Sequence, residues 1–245
     1  MLKKLSKQKI SDIITYGIVL VAFIVMQILI NAGQISSLFE GLMVPLCTYI
    51  ILAISLNLVV GVLGELSLGH AGFTSAFFSK CMQDTITNSI VRFLIALLIG
   101  IVVAAIFGLL IGIPVLRLNG DYLAIVTLAF GEIIKNIVNV LFIGKDSKGF
   151  HFSTKDVMAL NMEPDGKVIV NGPQGITGAP KDATFFIGFI LVLITLFIVL
   201  NLIHSRDGRA IMAIRDNRIA AESIGINITK YKLMTFTISA AMAGA

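Results

Sequence analysis

Apolar residues in this chain come in long runs, and polar residues gather in the breaks between them. A membrane-crossing helix needs about 20 mostly apolar residues, because each residue advances the helix by only about 1.5 Å. Runs of that kind lie at roughly 13–31, 41–60, 62–79, 90–113, 121–143 and 183–203. A seventh begins near 231 and is still apolar at Ala245, so the expectation is a helix cut off where the sequence stops. The pattern predicts an all-α fold, a polytopic transmembrane bundle of about seven visible spans forming one domain over 1–245, incomplete at its C-terminus.

Two breaks are long. The 204–232 break carries Arg206, Arg209, Arg215, Arg218, Lys230 and Lys232 against Asp207, Asp216 and Glu222. Such a cationic excess belongs on the cytoplasmic side, as do Lys3, Lys4, Lys7 and Lys9 at the N-terminus. Both ends of that stretch can be inside only if six crossings separate them, which requires counting 62–79, the weakest span. The 144–182 break then falls outside, and its five lysines are balanced by five acids. Within it, Pro164-Asp165-Gly166 followed by Val168-Ile169-Val170 predicts a hairpin, and NGPQGITGAP (171–180) predicts a tight loop.

Composition agrees. Hydrophobic residues make up 57% of the 245, charged residues only 13%, and the mean hydropathy is +0.96. A water-soluble domain carries about 25% charged residues. The first apolar run is too long for a secretory signal and lacks a small-residue cleavage site, so it reads as a retained span. The net charge of +5 fits retained cytoplasmic lysine and arginine and does not imply a nucleic-acid partner. Cys47 and Cys81 have no spacing that suggests a disulfide framework or a metal site.

The cationic break contains a short helix with its own start and stop signals. Asp216 and Asn217 are capping residues, and Gly225 suits the left-handed position that ends a helix. Ala220, Ala221, Glu222 and Ser223 lie between them, about 12 Å of helix on the membrane surface.

A few polar residues interrupt the spans. Ser67, His70 and Thr74 fall on one helical face of 62–79, with Glu65 near its start and Gly61, Gly64, Gly69 and Gly72 allowing close helix approach. Such groups at membrane depth should face the bundle interior or a wet cavity; the alternative is an interior helix whose polar groups satisfy broken backbone. In 121–143, Glu132 recurs with Lys135, Asn136 and Asn139 at helical spacing, Glu132 and Lys135 can pair, and Asp121 can cap the start. Arg117, beside Asp121, reads as an anchor at the inner edge. Glu65, Ser67, His70, Thr74, Glu132 and Asn136 are thus the candidates for a translocation pathway. No catalytic constellation is present, and no G-x-x-x-x-G-K-[ST] loop, so an enzyme is not expected.

GELSLGHAGF (64–73), RLNGDYLAIVTLAFGEII (117–134), NGPQGITGAP (171–180) and GRAIMAIRDNRIAAESIGIN (208–227), with the YKLMTFTISAAMAGA that closes the chain, occur in that order. Together they resemble the permeases of branched-chain amino acid ABC importers, of the LivM type, from about residue 41 onward. Ala220-Ala221 followed by Gly225 is similar to the E-A-A-x-x-x-G loop of importer permeases, with Ile219 in place of the glutamate.

The resemblance implies a permease that moves branched-chain amino acids across a bacterial inner membrane. ATP would be bound by a separate cytoplasmic subunit and not by this chain. The coupling loop 204–230, through Arg215, Asp216, Asn217, Arg218, Ala220, Ala221 and Gly225, would seat in that ATPase. A second permease and an external substrate-binding protein complete the assembly, and 144–182 is a rim such a protein could meet. Family members run longer than this chain. Rival readings are a permease of the same family for urea, short amides or other amino acids, an ion-coupled secondary transporter, and a membrane scaffold or receptor component without transport. The secondary transporter would show an internal repeat, and none is evident.

Overall fold

The computed structural model describes residues 7–33, 36–63, 80–81, 88–115, 121–146, 149–162, 166–176 and 184–244. Eight α-helices are described: α1 (Lys7–Asn31), α2 (Ser37–Asn57), α3 (Ser89–Val115), α4 (Asp121–Val140), α5 (Phe185–His204), α6 (Arg206–Asp216), α7 (Arg218–Ser223) and α8 (Ile228–Ala243). A π-helical turn, Leu58–Leu63, extends α2. Three strands, β1 (Phe142–Asp146), β2 (Gly149–Ser153) and β3 (Lys167–Asn171), lie between α4 and α5.

Among the described residues, four helical stretches are long and apolar enough to cross a membrane: Ile10–Asn31, Gly41–Val62, Ser89–Ile113 and Phe185–His204. These match four of the runs read from sequence. The count of seven is not reached among the described residues. α4 carries Asp121, Glu132 and Lys135 along its length, and α8 is described over 16 residues. The 62–79 run lies almost wholly outside the described residues, as do Arg117 and Gly120.

Contacts divide the chain into two units, Met1–Ile54 with Ala183–Ser205, and Ser55–Asp182 with Arg206–Ala245. In the first, α1 meets α5 through an aromatic cluster. The Phe23 ring stacks on Phe189 at 3.9 Å and on Phe185 at 5.2 Å between centroids. α2 meets α5 through Cys47, Ile51 and Val192, where Gly188 brings the backbones close; a Cβ there would lie 3.0 Å from that of Cys47. At the end of α5, His204 Nδ1 stands 3.5 Å from Asp12 Oδ2 of α1.

The second unit is built around α3 and α8, which run antiparallel. A Cβ on Gly108 would sit 2.5 Å from that of Ala240, and one on Gly244 would overlap Ala104 and stand 2.6 Å from the Gly100 carbonyl. Gly100, Ala104 and Gly108 thus form one stripe of small residues, and Ala240 and Gly244 another. Small side chains let apolar helices approach closely in lipid, where no hydrophobic force drives them together.

The strands form a sheet of order β2-β1-β3, both pairs antiparallel. The strand expected at Val168–Val170 exists as β3 and pairs with β1, Val170 opposite Ile143; Pro164 and Asp165 of the expected turn lie outside the described residues. The 144–182 stretch therefore begins inside a sheet. Cys81, Ile143, Ile169 and Val170 form its buried core. Lys145 Nζ donates to the Cys81 carbonyl at 3.3 Å and lies 5.8 Å from the Phe150 ring centroid. Burial pushes the Cys81 thiol above the usual cysteine range, and the Lys145 charge works in the opposite direction. Asp146, almost fully buried, is paired with His151 Nε2 at 2.9 Å.

Of the glycine-rich loop, residues 171–176 are described, and they turn tightly. Asn171 N–H donates to the Gly175 carbonyl and Asn171 Nδ2 donates to Gln174 Oε1. Gly172, at φ +49°, is pressed against the end of α4: a Cβ would lie 2.6 Å from the Phe142 ring and 3.0 Å from the Asn139 carbonyl. Only glycine satisfies both demands.

Candidate functional site

The loop expected to couple to a partner is a folded unit of two helices. α6 buries Gly208, Ile211 and Ile214, one face at helical spacing, while Arg206, Asp207, Arg209 and Arg215 stay at the surface. Asp207 in its first turn and Arg215 in its last complement the helix dipole. The chain breaks at Asn217 (φ −156°, ψ 104°), whose side chain accepts the Ala220 N–H at 3.0 Å and caps α7. Asn217, and not Asp216, makes the cap.

α7 ends in a Schellman motif. The Ile226 N–H reaches back to the Ala221 carbonyl at 3.1 Å, and the Gly225 N–H to the Glu222 carbonyl at 3.0 Å, with Gly225 at φ +85°. Asn227 then caps α8 by accepting the Lys230 N–H at 3.0 Å. Side-chain oxygens thus start both helices, and a glycine turns the chain between them. Inside the bend, Ile214, Ala221 and Ile228 are buried together, with Ile226 and Tyr231 against them.

That packing sorts the expected coupling residues. Ala221 is 2% exposed and faces the chain's own cluster, so it fixes how α7 is carried. Asn217, Arg218, Ala220 and Gly225 are exposed. So are Ile219 and Ile224, at 81% and 75%. Ile219 near the start of α7 and Ile224 just past its end are thus two open apolar side chains on an otherwise polar bend. Sequence reasoning passed over them by treating Ile219 only as a missing glutamate.

Arg215, though at the surface, reaches back to the turn that ends the second apolar run. Its Nη1 donates to the Gly61 carbonyl at 2.8 Å, while Nε and Nη2 both reach Asp216 Oδ1 at 3.3 Å. The partner lies 154 positions away in sequence. No local signal announces it.

Of the pathway candidates, Glu65, Ser67, His70 and Thr74 lie outside the described residues. Glu132 and Asn136 lie one turn apart on α4, both exposed. Lys135 Nζ sits 3.3 Å from Glu132 Oε1, the pair that spacing predicts, so the carboxylate already has a counter-ion. Among the described residues, no group of three or more His, Cys, Asp or Glu side chains could hold a metal.

Long apolar helices joined by a capped, cationic helical loop define a multi-pass membrane protein of the permease kind. The sequence model of the family described as branched-chain amino acid transport system / permease component matches residues 37–245, and the chain belongs to that family. It is 35% identical over 206 residues to the high-affinity branched-chain amino acid transport system permease protein LivM of Salmonella typhimurium, an alignment covering 80% of this chain and 48% of the relative. The protein of the same name from Escherichia coli is 36% identical over 206 residues, with the same coverage. A probable branched-chain amino acid transport permease protein LivM of Methanocaldococcus jannaschii is 28% identical over 195 residues, 76% of this chain and 50% of the relative. The chain spans about half the length of the curated relatives it matches. No solved structure matches it.

Proposed function

We propose that this chain is the membrane-spanning permease subunit of an ATP-driven importer for branched-chain amino acids. It would lie in a bacterial inner membrane with its N-terminus in the cytoplasm. The observation that carries the reading is the α6–α7 loop, a helical bend capped at both ends of α7 that leaves Ile219 and Ile224 exposed. A cytoplasmic ATPase would grip the α7 bend through Ile219 on the helix and Ile224 just after it, flanked by Arg218 and Glu222. Substrate would arrive from an external binding protein and pass between this chain and a second permease. ATP would be bound and hydrolysed by the partner alone.

Two contacts support the topology. Gly61, which follows the second apolar span, is hydrogen-bonded to Arg215 in the cationic loop, so both belong to one membrane face. The antiparallel course of α3 and α8 is the direction required of spans separated by two further crossings, α4 and α5. The pathway is assigned to Glu65, Ser67, His70 and Thr74, together with Glu132 and Asn136 on α4. The names of the relatives favour leucine, isoleucine or valine as cargo over urea, short amides or other amino acids.

The test is uptake of labelled leucine into proteoliposomes holding the complete transporter, its ATPase subunits and its binding protein. ATP-dependent accumulation that ceases without the ATPase supports the proposal. Uptake driven by a proton or sodium gradient without ATP would replace it with a secondary transporter.

A further inference from the structure

The π-helical turn Leu58–Leu63 sits where two separate parts of the chain converge. Leu58 and Val59 are almost completely buried, and the turn packs against both α6 and α8. Each of those helices sends a side-chain donor to its backbone or to the turn of helix just before it. Arg215 of α6 donates from Nη1 to the Gly61 carbonyl at 2.8 Å, and Ser239 of α8 donates from Oγ to the Ser55 carbonyl at 2.7 Å. The Asp216 carboxylate, accepting from Nε and Nη2, orients the guanidinium while Nη1 makes the long-range bond.

A π-helical turn is a rare element that collects at functional sites and where helices bend. This one leads directly into the stretch of sequence that holds Glu65, Ser67, His70 and Thr74. We propose that Arg215 is a positioning residue for transport: its guanidinium ties the loop that meets the ATPase to the π-helical turn, so that displacement of α6 displaces the backbone at Gly61. This rests on the reading of that loop as the ATPase contact, and it assigns Arg215 to the permease side of the contact, away from the partner. The loop then acts on the membrane spans at two places. One is the covalent continuation into α8; the other is a hydrogen bond to a part of the chain more than 150 positions earlier.

The experiment compares Arg215→Gln and Arg215→Lys with the unaltered chain in the complete transporter. Glutamine is too short to reach the carbonyl, whereas lysine can still donate one N–H. Three quantities are read: capture of the ATPase subunit, leucine taken up per ATP hydrolysed, and amide hydrogen exchange over residues 58–63. Arg215→Gln is expected to capture the ATPase and hydrolyse ATP, to lose coupling by about tenfold, within the usual span of coupling between sites, and to exchange faster in the turn. Arg215→Lys should recover most of both losses. Unchanged uptake per ATP, or unchanged exchange over 58–63, in Arg215→Gln overturns the proposal. So does failure of Arg215→Gln to capture the ATPase, which would place the guanidinium in the docking contact itself. If the unaltered transporter shows no ATP-driven uptake, the underlying reading fails, and the exchange comparison still decides whether Arg215 holds the turn.

Discussion

Asn217 sets where α7 starts and Gly225 how it ends, while Ala221 packs it against the chain's own cluster. A Cβ at Gly225 would meet nothing within 4 Å, so its requirement is entirely its φ of +85°. Gly225→Val should therefore cost about 1–2 kcal/mol locally, by forcing an L side chain into left-handed backbone. The variant should insert in the membrane normally and lose uptake, while Gly225→Asn, which tolerates that conformation, should retain most of it. Uptake at the unaltered level in the valine variant would contradict this. Asn217→Ala removes the acceptor of the Ala220 N–H and should destabilise α7 by about 1 kcal/mol. Asn217→Asp should be close to neutral, measurable as protease sensitivity of the 217–225 bend. Cys81 lends itself to a chemical test. Because burial raises its pKa, less thiolate exists near neutral pH than for an ordinary cysteine. Its alkylation by iodoacetamide should be slow there, and its rate should keep climbing at alkaline pH where a free thiol has already levelled off. Alkylation as fast as that of a surface cysteine would show that the sheet core around it is open. The caps were legible from Asn217 and Gly225 because capping is local chemistry. The bond from Arg215 to Gly61 and the burial of Ala221 were not, since each depends on residues brought from elsewhere.

The α3–α8 pair is the most extensive helix contact among the described residues, and it rests on absent side chains. Gly108→Leu should drive a side chain into Ala240 and cost about 1–3 kcal/mol as overpacking, seen as lower yield and a lower Tm in detergent. The same change at Gly17 of α1, where a Cβ meets nothing within 4 Å, should leave both unaltered. The stripe was present in the sequence as small residues four apart, at Gly100, Ala104 and Gly108 and again at Ala240 and Gly244. It is hard to single out in runs where alanine and glycine are common. Helices that follow long apolar runs were readable because lipid imposes their length. The sheet was only half readable. β3 announced itself by Val168-Ile169-Val170, but it pairs with β1, beyond β2 in sequence, and non-local pairing leaves no local mark. The π-helical turn is likewise silent, since LVVGVL reads as ordinary apolar helix at any pitch.

At the scale of the whole chain, the proposed function joins the family membership to the structure through one mechanical idea: α7 would be a handle held from the cytoplasm, and α6, the π-helical turn and α8 would carry its motion into the membrane. A ligand or partner shifts such an equilibrium only by binding the two states unequally, so the handle must contact the ATPase differently before and after ATP binds. Membership and the helical membrane architecture were both accessible from four sequence segments in fixed order, and the loop's position between two apolar runs marked it for attention. Its exposed isoleucines emerged only once burial had separated Ala221 from Ile219 and Ile224. The most direct test is site-directed crosslinking from Ile219→Cys in the complete transporter, with Cys47 and Cys81 replaced by alanine. The account predicts capture of the ATPase subunit, with a yield that changes when ATP is added, and labelling by a membrane-impermeant maleimide only from the cytoplasmic face. Labelling from the outer face, or a cysteine there that never captures the ATPase, would contradict it.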